Sequence, residues 1–368
     1  MEGTRKRRSH AGRDKKKVSF AIPDDSSAHH PLIGSLVQHK FYIFGVICSI
    51  LILTFMLWPA PRLSKHAQHW HDSGFILKHG QYSVFYQDIF RISTEEADLQ
   101  PVALILHGFP TSSYDWKKLV NQLHARFARI IIPDMLGFGF SDKPLKYKYS
   151  IKDQATIQEK LLEKLNVTDV HILAHDYGDT VAQELLARAS NAEYKLRIKS
   201  ICLTNGGIIP SQHHPRPIQK VLMTPFLSTI LSMLSNRVIF NSRFRAIFGP
   251  HTQPSTQDLN DFWAIVRHNE GDMAFSQILQ YIPERYANEQ RWVGALKSTG
   301  IPLHLIYGAL DPVNTPDGFF REYKKLIPHS SYTILETVGH YPQLEDEAGF
   351  MKSYNEFLNR VEKTFYTL

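Results

Sequence analysis

The feature that most constrains this chain is an acid at a strand-to-helix junction. Val170-His171-Ile172-Leu173-Ala174 is a short apolar run suited to a buried parallel strand, and Val181, Leu185 and Leu186 then recur at helical spacing. Between them stand His175-Asp176-Tyr177-Gly178-Asp179. Ala174 and Gly178 are small enough to let strand and helix approach closely around a side chain held on strained backbone. Taken alone, an acid at position 176 reads equally as a helix N-cap.

Three further segments surround it in chain order. Val102 to Leu106 reads as a buried strand running into His107-Gly108-Phe109-Pro110, which by itself is an ordinary Gly-Pro turn. Ile130-Ile131-Ile132 reads as another strand, ending in a long glycine-containing loop, Pro133 to Pro144, that shapes a pocket. Pro302 to Gly308 is a strand followed by Asp311, and Tyr332 to Leu335 a strand followed by Val338-Gly339-His340. With 19 histidines in the chain, an unplaced one carries no weight; His340 is singled out by its position after the last strand.

These segments together resemble α/β-hydrolases of the epoxide hydrolase and haloalkane dehalogenase group, over roughly residues 70 to 365. The resemblance rests on His107 to Trp116 (HGFPTSSYDW), Leu136 to Pro144 (LGFGFSDKP), His175 to Leu186 (HDYGDTVAQELL), Arg291 to Leu296 (RWVGAL), Asp311 to Asn314 (DPVN) and His340 to Asp346 (HYPQLED). It implies an α/β fold: a mostly parallel eight-stranded sheet with helices on both faces and an inserted helical cap. The chain order nucleophile, acid, histidine of that fold gives Asp176 as nucleophile, Asp311 as orienting acid and His340 as general base. The backbone N–H groups of Phe109 and Tyr177 would form the oxyanion hole. The cap's proton donor is expected at Tyr281, with a buried aromatic as the equal alternative and Tyr286 in reserve. His107, Trp116 and Trp263 are expected to line the pocket, and neither cofactor nor metal is implied. The sequence departs from the group at Asp179, where a small residue is usual, and at Tyr177, where a Trp often follows the nucleophile. An acid in the first helical turn still suits the dipole.

A carboxylate nucleophile limits the chemistry. Attack on saturated carbon gives an alkyl ester that water can cleave, whereas attack on an acyl carbon gives a reactive anhydride. An epoxide or a related lipophilic electrophile is therefore the expected substrate. The alternatives are haloalkane dehalogenase-like chemistry, a lipid ester hydrolase or acyltransferase, and a catalytically silent binding module.

The net charge of +7 is concentrated in residues 1–40, where nine Lys or Arg stand against four acids. The remainder is nearly neutral, which excludes a basic nucleic-acid face. Phe41 to Trp58 is uncharged and apolar, 18 residues that as a helix would reach roughly 27 Å. It is expected to be a single transmembrane anchor and not a cleaved signal peptide. The basic flank then places the N-terminus in the cytosol and the catalytic domain in the lumen of the endoplasmic reticulum. There the sequon Asn166-Val167-Thr168 would be open to glycosylation. Two cysteines, Cys48 and Cys202, give no disulfide framework.

The expected plan is a basic disordered tail (1–40), the anchor (41–58), a linker (59–70), a hydrolase core (71–207 and 297–368) and a helical cap (208–296). With 43% apolar residues there is material for one large core. Ile218 to Phe240, rich in Leu, Met and Phe, is expected to be a lid helix over the pocket, with a second membrane contact as the alternative. The expected partners are a lipophilic small molecule and the membrane, with no nucleic acid.

Overall fold

The apolar runs pair into one sheet. The computed structural model describes residues 31–56, 59–91, 101–191, 194–213 and 215–366; residues 1–30 of the expected tail lie outside them. Eight strands, β1 (Phe75–His79), β2 (Tyr82–Phe90), β3 (Val102–Leu106), β4 (Arg129–Pro133), β5 (Asp169–Ala174), β6 (Arg197–Thr204), β7 (Leu303–Gly308) and β8 (Ser331–Leu335), lie in the order β1-β2-β4-β3-β5-β6-β7-β8. The β1–β2 and β2–β4 pairs are antiparallel and all others parallel.

Alternation along each strand loads two cores. Leu104, Leu106, Ile131, Ile172, Ala174 and Leu203 face one, shared with the helices Ile151–Lys164, Tyr177–Ala189 and Glu289–Ser298. Ala103, Ile105, Ile130, Ile132, Leu173 and Cys202 face the other, covered by the C-terminal helix Glu347–Tyr366 through Phe350, Tyr354 and Phe357. Each fully buried aliphatic side chain contributes roughly 1.5–3 kcal/mol, so runs apolar on both faces settle in the middle of the sheet. Leu106 at the end of β3 sits in register with Ala174 at the end of β5. That pairing brings the segments beginning at His107 and His175 side by side.

Between β6 and β7 the described residues form helices and no strand. Ile218 to Phe240 is not a single lid helix: it is divided among the helices Pro217–Leu222, Pro225–Leu234 and Arg237–Arg245. Pro225 starts the second, and the Asn236 side chain caps the third by accepting from the Val238 and Ile239 N–H groups. Ile218, Phe226, Leu227, Val238 and Ile239 in these helices are exposed. The stretch 59–70 is also more than a linker, because a helix begins at Lys65. The Ser64 hydroxyl caps it, accepting from the Ala67 N–H, and donates to Asp261 at 2.7 Å.

The chain divides into two units, residues 1–54 and 55–368. In the first, the helix Pro31–Met56 leaves Phe41, Ile43, Phe44, Ile50 and Leu51 exposed. Among the described residues no helix is long and apolar enough to cross a membrane, so the expected anchor has no support from them. The segment Phe41–Trp58 is helical as far as Met56, with Leu57 and Trp58 outside the described residues. The helix begins ahead of His39 and Lys40, and its uncharged described part after them is residues 41–56.

Candidate active site

The site is assembled where β3, β5, β6, β7 and β8 end. Asp176 holds the junction between β5 and the helix Tyr177–Ala189 at φ 48°, ψ −107°, a conformation an L-residue adopts only under constraint. Its N–H donates to the Thr204 carbonyl at 3.0 Å, and the Gly178 N–H closes the turn onto the His175 carbonyl at 2.8 Å. Only glycine fits at 178, since a Cβ there would lie 2.7 Å from the Leu106 carbonyl oxygen.

The Asp176 carboxylate is held in place by backbone. The Phe109 N–H donates to Oδ2 at 3.0 Å, and the Tyr177 N–H bonds the same carboxylate. His340 Nε2 stands 3.9 Å from Oδ1. On the far side of that ring, Nδ1–H donates to Asp311 Oδ2 at 2.8 Å. Asp311 also accepts from the Asn205 amide on Oδ2 (2.8 Å) and from the Val313 N–H on Oδ1 (2.7 Å). Asp176, Asp311 and His340 are all buried, so the structure brings the three expected side chains into one closed site.

Burial pushes the Asp176 carboxyl above its ordinary value of 3.8, opposed by the charge of His340 and by the two amides. For His340, burial acts to lower the imidazole, but the charge and hydrogen bond of Asp311, with Asp176 adding to them, outweigh it and hold the ring above its ordinary 6.5. Tyr281 is buried, with its ring centroid 4.7 Å from that of Tyr177. Burial and the nearby Asp176 charge push its phenol well above the usual range. Tyr286 lies elsewhere: it is exposed and donates to the His213 carbonyl.

The three expected pocket residues take other roles. His107 is fully buried, with Nε2 accepting from the Met135 N–H at 3.0 Å and Nδ1–H donating to the Gly108 carbonyl, so it braces the oxyanion loop. Trp116 lies in the core on the face covered by the C-terminal helix, 5.9 Å from Phe350. Trp263 packs inside the cap against Phe240 at 5.0 Å. Each is an aromatic or imidazole ring drawn into a dry interior. Asn166 is exposed on the turn between the helix Ile151–Lys164 and β5.

Four residues without an expected role join the site or its frame. His175 Nε2–H donates to the His340 carbonyl at 2.8 Å, fixing the loop that carries the base. Asn205 links Asp311 to the Gly308 N–H. Asp179 accepts from the Thr204 N–H (3.1 Å) and the Gly206 N–H (2.9 Å), which explains an acid where a small residue is usual. Arg285 comes from the cap. His175 and Asp179 lay within the quoted motif; no local pattern marks Asn205 or Arg285. Among the described residues no group of three His, Cys, Asp or Glu side chains is arranged to hold a metal ion.

This strained acid, its paired amides and the histidine–acid pair at the strand ends define a hydrolase of the α/β type. The family model for the alpha/beta hydrolase fold matches residues 101–347, and the chain belongs to that family. It is 44% identical to the mesoderm-specific transcript protein of Mus musculus and 45% identical to the mesoderm-specific transcript homolog protein of Homo sapiens. Both alignments run over 320 residues, 86% of this chain and 94% of the relative. Among solved structures, haloalkane dehalogenase DbeA from Bradyrhizobium elkani superposes with TM-score 0.65 at 22% identity, covering 79% of this chain and 99% of the dehalogenase. The epoxide hydrolase CorEH superposes with TM-score 0.62 at 17% identity, covering 78% and 99%. These two likenesses are of fold.

Proposed function

We propose that the chain is a hydrolase with Asp176 as a covalent nucleophile toward epoxides or related lipophilic electrophiles. The observation that carries this reading is the Asp176 carboxylate itself: Oδ2 accepts from the Phe109 N–H while Oδ1 faces His340. In the first step Oδ1 attacks the epoxide carbon, the C–O bond breaks, and the alkoxide takes the Tyr281 proton. Burial and the Asp176 charge raise the phenol; alkylation removes the second of these, while Arg285 still acts to lower it. In the second step His340 Nε2 takes a proton from water as that water attacks the Asp176 carboxyl carbon. The Phe109 and Tyr177 amides hold the oxyanion. Collapse releases the diol oxygen, which takes its proton from His340; the second water proton leaves the regenerated Asp176 carboxyl, and exchange through solvent returns one to Tyr281.

The test is His340→Gln, which leaves alkylation possible and stalls hydrolysis. Exposed to a panel of lipophilic epoxides, haloalkanes and esters, this variant is expected to carry an alkyl adduct on Asp176 by peptide mass spectrometry. No adduct across the panel, with the wild type also inactive, would defeat the reading.

We also propose membrane association, with the N-terminus cytosolic and the hydrolase unit in the lumen of the endoplasmic reticulum. The exposed apolar side chains of the helix Pro31–Met56 support it, as do those of the cap helices, where no acid occurs from 194 to 257. Glycan on Asn166 in cells is the expected result. Protease access from the cytosol with Asn166 unmodified would contradict it.

A further inference from the structure

Arg285 lies on the cap helix Tyr281–Ala287 and is only 1% exposed. Its Nη1–H donates to the Gly207 carbonyl at 2.8 Å, while the buried Nε and Nη2 have no hydrogen-bond partner among the described residues. The guanidinium carbon is 4.8 Å from the Tyr281 ring centroid, and that ring packs on Tyr177, the neighbour of the nucleophile. Gly207 belongs to the loop after β6, three residues beyond the Thr204 carbonyl that accepts from the Asp176 N–H. A Cβ at 207 would come within 1.5 Å of Nη1, so this loop admits the guanidinium only because residue 207 is glycine.

Among the described residues no carboxylate reaches ion-pair distance of Arg285. The two nearby acids are bonded elsewhere: Asp179 to the Thr204 and Gly206 amides, Asp176 to the Phe109 amide. A buried cation with two idle donors is costly to keep. The imbalance grows during the reaction, because alkylation neutralises Asp176. An oxyanion on the substrate would satisfy the idle donors and replace the lost negative charge.

We infer that Arg285 is the recognition site for an anionic group, a carboxylate or a phosphate, carried by the substrate near the carbon that Asp176 attacks. This rests on the covalent reading above. It narrows the substrate from any lipophilic electrophile to an amphiphilic one, its apolar chain among cap residues and its charged end on the guanidinium.

The test compares a fatty epoxide bearing a carboxylate two carbons from the ring with its methyl ester, both applied to full-length protein carrying His340→Gln. The acid is expected to label Asp176 about tenfold to a hundredfold faster than the ester, the range set by one charge-assisted hydrogen bond pair. Adding Arg285→Gln should abolish that ratio, and Arg285→Lys should restore part of it. In a second readout, dodecanoate should raise the melting temperature of the wild type but not of Arg285→Gln. Equal labelling by the two probes, or equal slowing of both in Arg285→Gln, overturns the inference and leaves the covalent reading standing. If neither probe labels, the covalent reading fails. The dodecanoate arm then decides alone: a shift lost in Arg285→Gln supports the anion site, and no shift in the wild type overturns it.

Discussion

Replacing Asp311 by Asn tests the geometry of the base. The Asp311 carboxylate accepts three hydrogen bonds, from His340 Nδ1–H and Asn205 on Oδ2 and from the Val313 N–H on Oδ1. A carboxamide has one accepting oxygen for these two places. With that oxygen toward Val313, the new NH2 faces His340 Nδ1, forces it to accept, and moves the ring proton to Nε2, where it can no longer take one from water. With the oxygen toward His340, the NH2 opposes the Val313 N–H and leaves a buried donor unsatisfied, costing about 1–3 kcal/mol. Both orientations also remove the charge that holds the imidazolium. The expected loss in the hydrolytic step is about 10²- to 10⁴-fold. Alkylation, which needs only the Asp176 carboxylate and a proton donor, should be nearly unchanged. Rapid quench followed by intact mass measurement should therefore find a fast burst of adduct and slow turnover. Equal slowing of both steps, or unchanged turnover, would refute the assignment of Asp311 and His340.

Tyr281→Phe should act on the opposite step, slowing adduct formation about a hundredfold with hydrolysis of a preformed adduct unaffected; single-turnover kinetics separates the two. Hydrolysis requires neutral His340, so its rate should fall as pH drops through the His340 midpoint, which burial lowers and the charge and hydrogen bond of Asp311 raise, read from a pH–rate profile of adduct hydrolysis. The net upward shift makes the pair's contribution to stability complete below the unfolded imidazole value and lost as pH rises through the folded one. Asp134→Ala should destabilise the fold without touching the chemistry directly, because Asp134 is fully buried and accepts from the Ser113 and Phe140 N–H groups at 2.7 and 2.6 Å. Each orphaned donor costs about 1–3 kcal/mol, measurable as a lower midpoint in chemical denaturation.

The parts of the fold legible in the sequence are those in which local pattern and tertiary packing agree. Val102–Leu106 and Ile130–Ile132 are apolar on both faces because the sheet is covered on both faces. The grouping of Asp176, Asp311 and His340 was legible for a related reason, as strand ends carry all three and strands are the clearest pattern in the chain. What packing alone decides was not legible. Trp116 and Trp263 are large rings whose sequence neighbours say nothing about which core receives them, and they went to the sheet's far face and the cap interior. Arg285 and Asn205 reach the site across long separations in sequence, through bonds to Gly207 and Asp311 that no local spacing encodes. Pro225 and Asn236 argue against a continuous membrane span over Ile218–Phe240, and the structure uses the first to start one helix and the second to cap the next.

The most direct measurement is a single turnover of a lipophilic epoxide in heavy-oxygen water, followed by mass analysis of the peptide containing Asp176. If the side chain is alkylated and then freed by water attacking its carboxyl carbon, solvent oxygen must remain in the Asp176 carboxyl after the first cycle. Heavy oxygen found in the diol alone, with none in the peptide, would mean that water attacks the substrate directly and that Asp176 is not the nucleophile.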